Sequence, residues 1–243
     1  MPESALRQRL EENLRAVRQR MELACQRAQR PVSAVRLVAV TKYAQSAWMR
    51  ELFSLGELDW GENRPQQLAS RAGEFPATVR WHLIGTLQRN KAQLAARHAA
   101  VVHSVDSVRL LETLEKQAAA CQHTLPVLLE VNISGEAQKH GFTPAELLAV
   151  AGAPPATPHL SIEGLMTMAP HSDLPEESRG VFRGLRELRD RLREQVPGWP
   201  LRELSMGMSG DFEVAIEEGA TLVRVGTALW EGLEALSPQP LNP

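Results

Sequence analysis

A lysine at the end of a short apolar run is the first residue here that reads as chemistry. Leu37-Val-Ala-Val-Thr-Lys42 is rich in valine and reads as a buried strand with Lys42 at its carboxyl end. Of 27 basic residues only Lys42, Lys91, Lys116 and Lys139 are lysines, so arginine carries nearly all the positive charge. That bias weakens the reading of Lys42 as one more solvated cation. A partly desolvated lysine loses its proton more readily and can attack an aldehyde to form a Schiff base.

Two glycine-rich stretches near the end of the chain offer the complementary chemistry. Ser205-Met-Gly-Met-Ser-Gly-Asp211 follows a strand and opens a helix, and Gly226-Thr227 does the same after the next strand. Bare glycine backbone lets amide N–H groups approach an anion, and a helix start adds positive potential. These glycines also suit plain strand-to-helix turns, with Ser209 as a helix cap. Two adjacent loops, each with a hydroxyl at Ser209 or Thr227, favour a phosphate cradle. A lysine and a phosphate cradle together suit a phosphorylated aldehyde. Pyridoxal phosphate fits, and so does the sugar-phosphate substrate of a Schiff-base aldolase.

The elements that must position these groups alternate. Strands are predicted at Arg36–Thr41, Leu58–Glu62, Arg80–Gly85, Ala100–Val105, Pro126–Ile133, Leu160–Met168, Arg202–Met206 and Leu222–Val225. The clearest helical patterns between them are Ser46–Leu55, Gln88–Arg97, Ser107–Cys121, Pro144–Ala151, Pro175–Gln195 and Asp211–Glu218. Eight strands alternating with helices predict a single (β/α)₈ barrel, with an open doubly wound sheet as the alternative. In a barrel, active groups gather at the carboxyl ends of the strands, and the loops after the seventh and eighth are the usual phosphate seat. Strand one then neighbours strand eight. An extra helix over Ser4–Gln29, apolar at Leu6, Leu10, Leu14, Val17, Met21 and Ala24, is expected to cap the barrel from outside.

Composition narrows the function. With 243 residues, net charge −2 and 23% charged residues, nothing points to a nucleic acid or a membrane surface. No stretch is apolar for long enough to span a bilayer, and the N-terminus has no signal-peptide core. Cys25 and Cys121 read as two reduced thiols, and a cytoplasmic setting is expected. Neither has metal-ligand spacing, so no metal site is expected. The absence of G-x-G-x-x-G after the first strand argues against a dinucleotide site.

Val40-Thr-Lys42, Trp60-Gly-Glu-Asn63, Trp81-His-Leu-Ile-Gly-Thr-Leu-Gln-Arg-Asn-Lys91, Val131-Asn-Ile-Ser134, Lys139-His-Gly141, Gly164-Leu-Met166, Leu204-Ser-Met-Gly-Met-Ser209 and Val223-Arg-Val-Gly-Thr227 resemble, in order, the motifs of the pyridoxal phosphate homeostasis protein family. The resemblance runs from about Leu37 to Gly232. It implies one domain over residues 1–243: a capping helix at 1–30, a barrel at 36–232 like the N-terminal domain of alanine racemase, and a tail at 233–243. It also implies pyridoxal 5′-phosphate as cofactor, held as a Schiff base on Lys42. Ser209, Gly226 and Thr227 would hold the phosphate, Arg224 would face the pyridine nitrogen, and Asn63 and His82 would line the ring. His82 reads equally well as a core histidine. The implied role is vitamin B6 homeostasis by storing or delivering the cofactor, as a monomer, with PLP-dependent apo-enzymes as possible recipients and no catalytic turnover. A PLP-dependent amino-acid racemase is the alternative. Tyr43, the only tyrosine, is expected to point away from Lys42 by strand alternation, leaving the site without a second base. Lys139 reads as a solvated loop lysine, or as a second amine able to accept the aldehyde. The methionines at 166, 168, 206 and 208 read as rim packing. The chain departs from the family pattern at Pro65 and Gln67, which bears on the following helix and not on cofactor binding.

Overall fold

The computed structural model describes residues 2–136 and 138–236, the side chains of 2–4 and 236 excepted. Most of the expected tail over 233–243 thus lies outside the described residues. The order of elements is α1 (Pro2–Arg27), β1 (Arg36–Val40), α2 (Ser46–Ser54), β2 (Asp59–Glu62), α3 (Pro65–Glu74), β3 (Arg80–Leu83), α4 (Ala92–His98), β4 (Val101–Val105), α5 (Val108–Cys121), β5 (Leu125–Glu130), α6 (Pro144–Gly152), β6 (Leu160–Met166), α7 (Arg179–Gln195), β7 (Glu203–Ser205), α8 (Phe212–Glu217), β8 (Leu222–Val225) and α9 (Thr227–Trp230). The eight strands are parallel and close into a barrel in chain order, β8 returning to β1 with Val38 opposite Arg224. This is the expected (β/α)₈ architecture.

All eight predicted strands exist, but most end early at the mouth of the barrel. Thr41, Ile84, Val131, Thr167 and Met206 still donate one backbone hydrogen bond to the neighbouring strand while their onward residues turn away into loops. Inside the barrel Val38, Leu128, Met166 and Leu222 form a small apolar cluster, with polar side chains filling the rest. Outside it the helices bury apolar stripes, such as Phe182, Leu185, Leu188 and Leu192 of α7. At Gly164 the barrel tolerates no side chain, because a Cβ would sit 1.9 Å from the Glu203 carbonyl oxygen.

The six apolar positions expected along α1 are all buried. Its polar side reaches out to other elements: Arg20 pairs with Glu213 at 2.6 Å, Arg27 with Glu217 at 2.6 Å, and the Asn13 amide donates to the Leu229 and Glu231 carbonyls. On α7, Arg179 and Arg186 converge on Glu218 beyond α8, so the arginine-dense helix is used for packing. Helix α3 is the helix expected after Pro65 and Gln67, although it is not among the clearest helical patterns of the sequence. It buries only Pro65 and Leu68, too little for an apolar stripe, and Pro65 serves as its first residue. Both cysteines are free thiols. Among the described residues no helix is long and apolar enough to cross a membrane.

Helix α6 starts with a reciprocal cap. Thr143 Oγ1 accepts from the Glu146 N–H at 3.2 Å, and the Glu146 carboxylate accepts from the Thr143 N–H at 2.8 Å. Thr143 is exposed, so a Thr143→Ala variant isolates the cap. It is expected to lose about 1 kcal/mol in urea unfolding, and an unchanged midpoint would show that the cap is idle.

Candidate functional site

A cavity of about 580 Å³ opens at the carboxyl end of the barrel, walled by the loops that follow β1, β6, β7 and β8. Lys42, Ser209, Arg224, Gly226 and Thr227 all line it, together with Trp48 and Trp230, whose rings stack at 6.0 Å. Trp230 also donates from Nε1 to the Val40 carbonyl at 2.7 Å, fixing the wall between the first and last strands.

Lys42 lies two residues beyond the end of β1, in a turn. Strand alternation therefore does not reach it, and this corrects the expected direction of Tyr43. The Lys42 Nζ lies 4.9 Å from the centre of the Tyr43 ring, and both side chains border the cavity. A cation over a π face is attracted by the ring quadrupole.

Across the cavity, Ser209 does not cap the helix that follows it. Its Oγ instead accepts from the backbone N–H groups of Gly226 at 3.3 Å and Ala228 at 3.4 Å, joining the two glycine-rich loops. The first loop is held by several bonds: Met208 N–H donates to Asp211 at 2.6 Å and Arg224 N–H to the Gly207 carbonyl at 3.0 Å. Gly207 has φ +89°, and a Cβ there would lie 2.6 Å from that of Ala215.

Arg224 is buried below these loops, 5% exposed where it meets the cavity. Its Nη1 donates to Ser205 Oγ at 2.7 Å and its Nη2 to the Thr167 carbonyl at 3.0 Å. Burial lowers its pKa to about 10, against the nearby charges of Asp211 and Glu130 that push it up. Ser205 begins a chain of buried contacts across the barrel. Ser205 Oγ lies 2.8 Å from His103 Nδ1, His103 Nε2 lies 2.9 Å from His82 Nδ1, and His82 Nε2 lies 2.9 Å from Asp59 Oδ1. Asp59 in turn pairs with Arg80 at the surface. Burial above all, with the charges of Arg224 and Arg36, drives the pKa of His103 well below its ordinary value and keeps it neutral. With protons on Nε2 of both rings, every link has one donor and one acceptor, and all point from Arg224 toward the Asp59 carboxylate. Beside Arg224, burial and the charge of Asp106 raise the Glu130 carboxyl to about 7, opposed by His140 and Arg224.

Two expected site residues are not brought into the cavity. His82 spends both ring nitrogens on Asp59 and His103, which matches the core-histidine reading. Asn63 sits under Gly85, where a Cβ would meet its carbonyl oxygen at 2.4 Å, and it is not among the lining residues. Lys139 also stays outside, paired with Glu136 and bonded at 3.4 Å to Ser134 Oγ and the Met168 carbonyl. Of the four methionines, Met166 and Met206 are buried, while Met168 and Met208 are exposed and Met208 lines the cavity.

The family model described as alanine racemase, N-terminal domain, matches residues 7–233. A protein of Aquifex aeolicus named pyridoxal phosphate homeostasis protein is 39% identical over 220 residues, covering 90% of this chain and 96% of that one. The chain belongs to the pyridoxal phosphate homeostasis protein family. A Pseudomonas aeruginosa protein of the same name is 40% identical over 220 residues, covering 90% of this chain and 94% of that one. Among solved structures, PipY of Synechococcus elongatus with PLP bound is 37% identical, with a TM-score of 0.76 and coverage of 88% of this chain and 99% of that one. In this member of the pyridoxal phosphate homeostasis family the sequence motifs divide by location. Val40-Thr-Lys42 and the two glycine-rich loops build the cavity, whereas the motifs around Trp60 and Trp81 lie behind it. Asp59 and His103 were not read from the sequence, and Ser205 was read only as the start of the first glycine-rich loop, not as a support of Arg224 from behind. The available signal was a polar side chain within each of three short strands, β2, β4 and β7, since a buried polar group needs a partner.

Proposed function

We propose that this chain binds pyridoxal 5′-phosphate in the 580 Å³ cavity, tethered through Lys42, and holds and releases it to keep the vitamin B6 pool balanced. One observation carries this: a single lining unites a primary amine, a buried guanidinium and a hydroxyl on which two backbone donors converge. That donor set fits the cofactor. Ser209 and Thr227 offer hydroxyls to a phosphate, and Gly226, whose N–H donates to Ser209 Oγ, places no side chain between them. Arg224, with a pKa of about 10, keeps its proton at neutral pH, so it orients a ring nitrogen as a donor and passes no proton to it. When bound, the cofactor supplies an aldehyde that condenses with a primary amine, while its unprotonated ring is a poor electron sink. The name of the Aquifex relative and the PLP bound to PipY support the same reading. Turnover is not part of it. The setting is the cytoplasm, the working form is a monomer, and the recipients are PLP-dependent apo-enzymes.

The test is optical. The purified protein is expected to show a visible absorption band that borohydride discharges, leaving a phosphopyridoxyl adduct on Lys42. Lys42→Ala is expected to abolish the band. A Lys42→Ala protein that still traps the adduct elsewhere would remove Lys42 as the tether, and a sugar-phosphate adduct on Lys42 would point to an aldolase. Loss of the α-proton of alanine in deuterated solvent would restore the racemase.

A further inference from the structure

The motif Gly61-Glu62-Asn63 and the helix α3 behind it do not line the cavity, yet they grip the turn that carries Lys42. Arg71 of α3, with its side chain 12% exposed, donates from Nη1 to the Thr41 carbonyl at 2.5 Å and from Nη2 to the Ala44 carbonyl at 2.9 Å. Gln67, one helical turn earlier, donates to the Lys42 carbonyl at 3.4 Å. Three carbonyls of the 41–44 turn are thus held by two side chains of one helix. The grip is anchored in turn by Glu62, whose side chain is wholly buried. Its Oε1 pairs with Arg71 and accepts from Thr41 Oγ1 at 2.6 Å, while its Oε2 has no hydrogen-bond partner among the described residues. A buried carboxylate left half-satisfied is costly, so its position calls for a reason beyond packing. Holding Arg71 against the turn provides one.

We propose that Arg71, locked by Glu62, is a positioning residue that aims Lys42, setting how readily its amine captures an aldehyde without contributing to phosphate or ring binding. The proposal rests on the reading of Lys42 as the tether. Capture joins the neutral amine to the aldehyde carbon as C=N, and the carbonyl oxygen leaves with two protons as water. The bond requires the nitrogen on the right trajectory, and a misplacement of about 1 Å can cost about a hundredfold. A turn pinned at three carbonyls restricts the lysine to its own side-chain rotations.

Arg71→Met alone strands Glu62 as an unpaired buried charge and can fail to fold. The test therefore uses Glu62→Gln/Arg71→Met together, and Gln67→Ala as a milder variant. Two ligands separate aim from binding: pyridoxal phosphate, and pyridoxine 5′-phosphate, which has the same ring and phosphate but an alcohol in place of the aldehyde. The expected result for the double variant is imine formation slowed at least about tenfold, with pyridoxine 5′-phosphate affinity within about twofold of wild type. Gln67→Ala is expected to slow capture less. In the ligand-free double variant, the Ala44 amide, bonded to the Thr41 carbonyl at 2.8 Å, is expected to exchange faster with deuterium. Wild-type capture rates in the double variant would overturn the proposal, as would parallel loss of both ligands, which marks a merely structural role. A wild-type protein that traps no adduct at Lys42 would overturn the tether and the proposal together, a result distinct from a variant defect.

Discussion

Replacing Glu130 with glutamine is expected to stabilise the protein by about 3 kcal/mol at pH 8 and to change little at pH 4. The carboxyl is buried at the end of β5, where burial first and the charge of Asp106 second raise it from 4.5 to about 7. Folded protein then keeps the Glu130 proton up to about pH 7, whereas unfolded chain releases it near 4.5. Between those values the folded state binds more protons, so stability is greatest below pH 4.5 and falls as pH rises through 7. The size of the loss follows from the span of the shift. Glutamine has a similar shape and no proton to lose, so the difference between variant and wild type cancels the other titrating groups. Urea unfolding of both proteins from pH 4 to pH 8 reads it directly. A constant difference across that range would show that Glu130 is not protonated in the fold.

The second large effect comes from a single oxygen. Ser205→Ala is expected to cost about 3 kcal/mol of stability, far more than a buried hydroxyl of ordinary surroundings. Ser205 Oγ is the meeting point of Arg224 Nη1 and His103 Nδ1, in a place without solvent. Its removal takes the shared partner from a guanidinium N–H and an imidazole nitrogen at once, and each buried polar group left unsatisfied costs about 1–3 kcal/mol. Arg224 also keeps only its bond to the Thr167 carbonyl, so cofactor binding is expected to weaken about tenfold. Denaturation and titration with pyridoxal phosphate measure the two effects separately. A stability loss under about 1 kcal/mol would show that the relay closes around the gap.

The framework of this protein was legible because it is periodic. Valine- and leucine-rich runs alternate with amphipathic stretches, and a parallel barrel is what such an order builds. The two sides of the cavity were legible for a local reason as well: a lysine after β1 and glycine loops after β7 and β8 carry their chemistry within a few residues. What could not be read depends on distance across the barrel. His82, His103 and Ser205 come from three strands, and no local spacing says that their side chains meet inside. Tyr43 went astray because the period of a strand was extended past the point where the strand ends. Helix α3 is only weakly marked in the sequence because its face is mostly polar, and two of those polar residues, Gln67 and Arg71, bond to the turn bearing Lys42.

The closure of β8 onto β1 has a consequence for how the molecule is made. Pairing of Val38 with Arg224 brings together residues separated by nearly the whole chain. During synthesis the amine emerges early, and the loops that face it emerge last. A chain whose last strands are not yet made therefore carries Lys42 without the glycine-rich loops that face it across the cavity. Only a finished ring presents both, and a ligand gripping both clasps the first strand to the last. A ligand bound as proposed would therefore favour the closed ring over any form in which β8 has left β1.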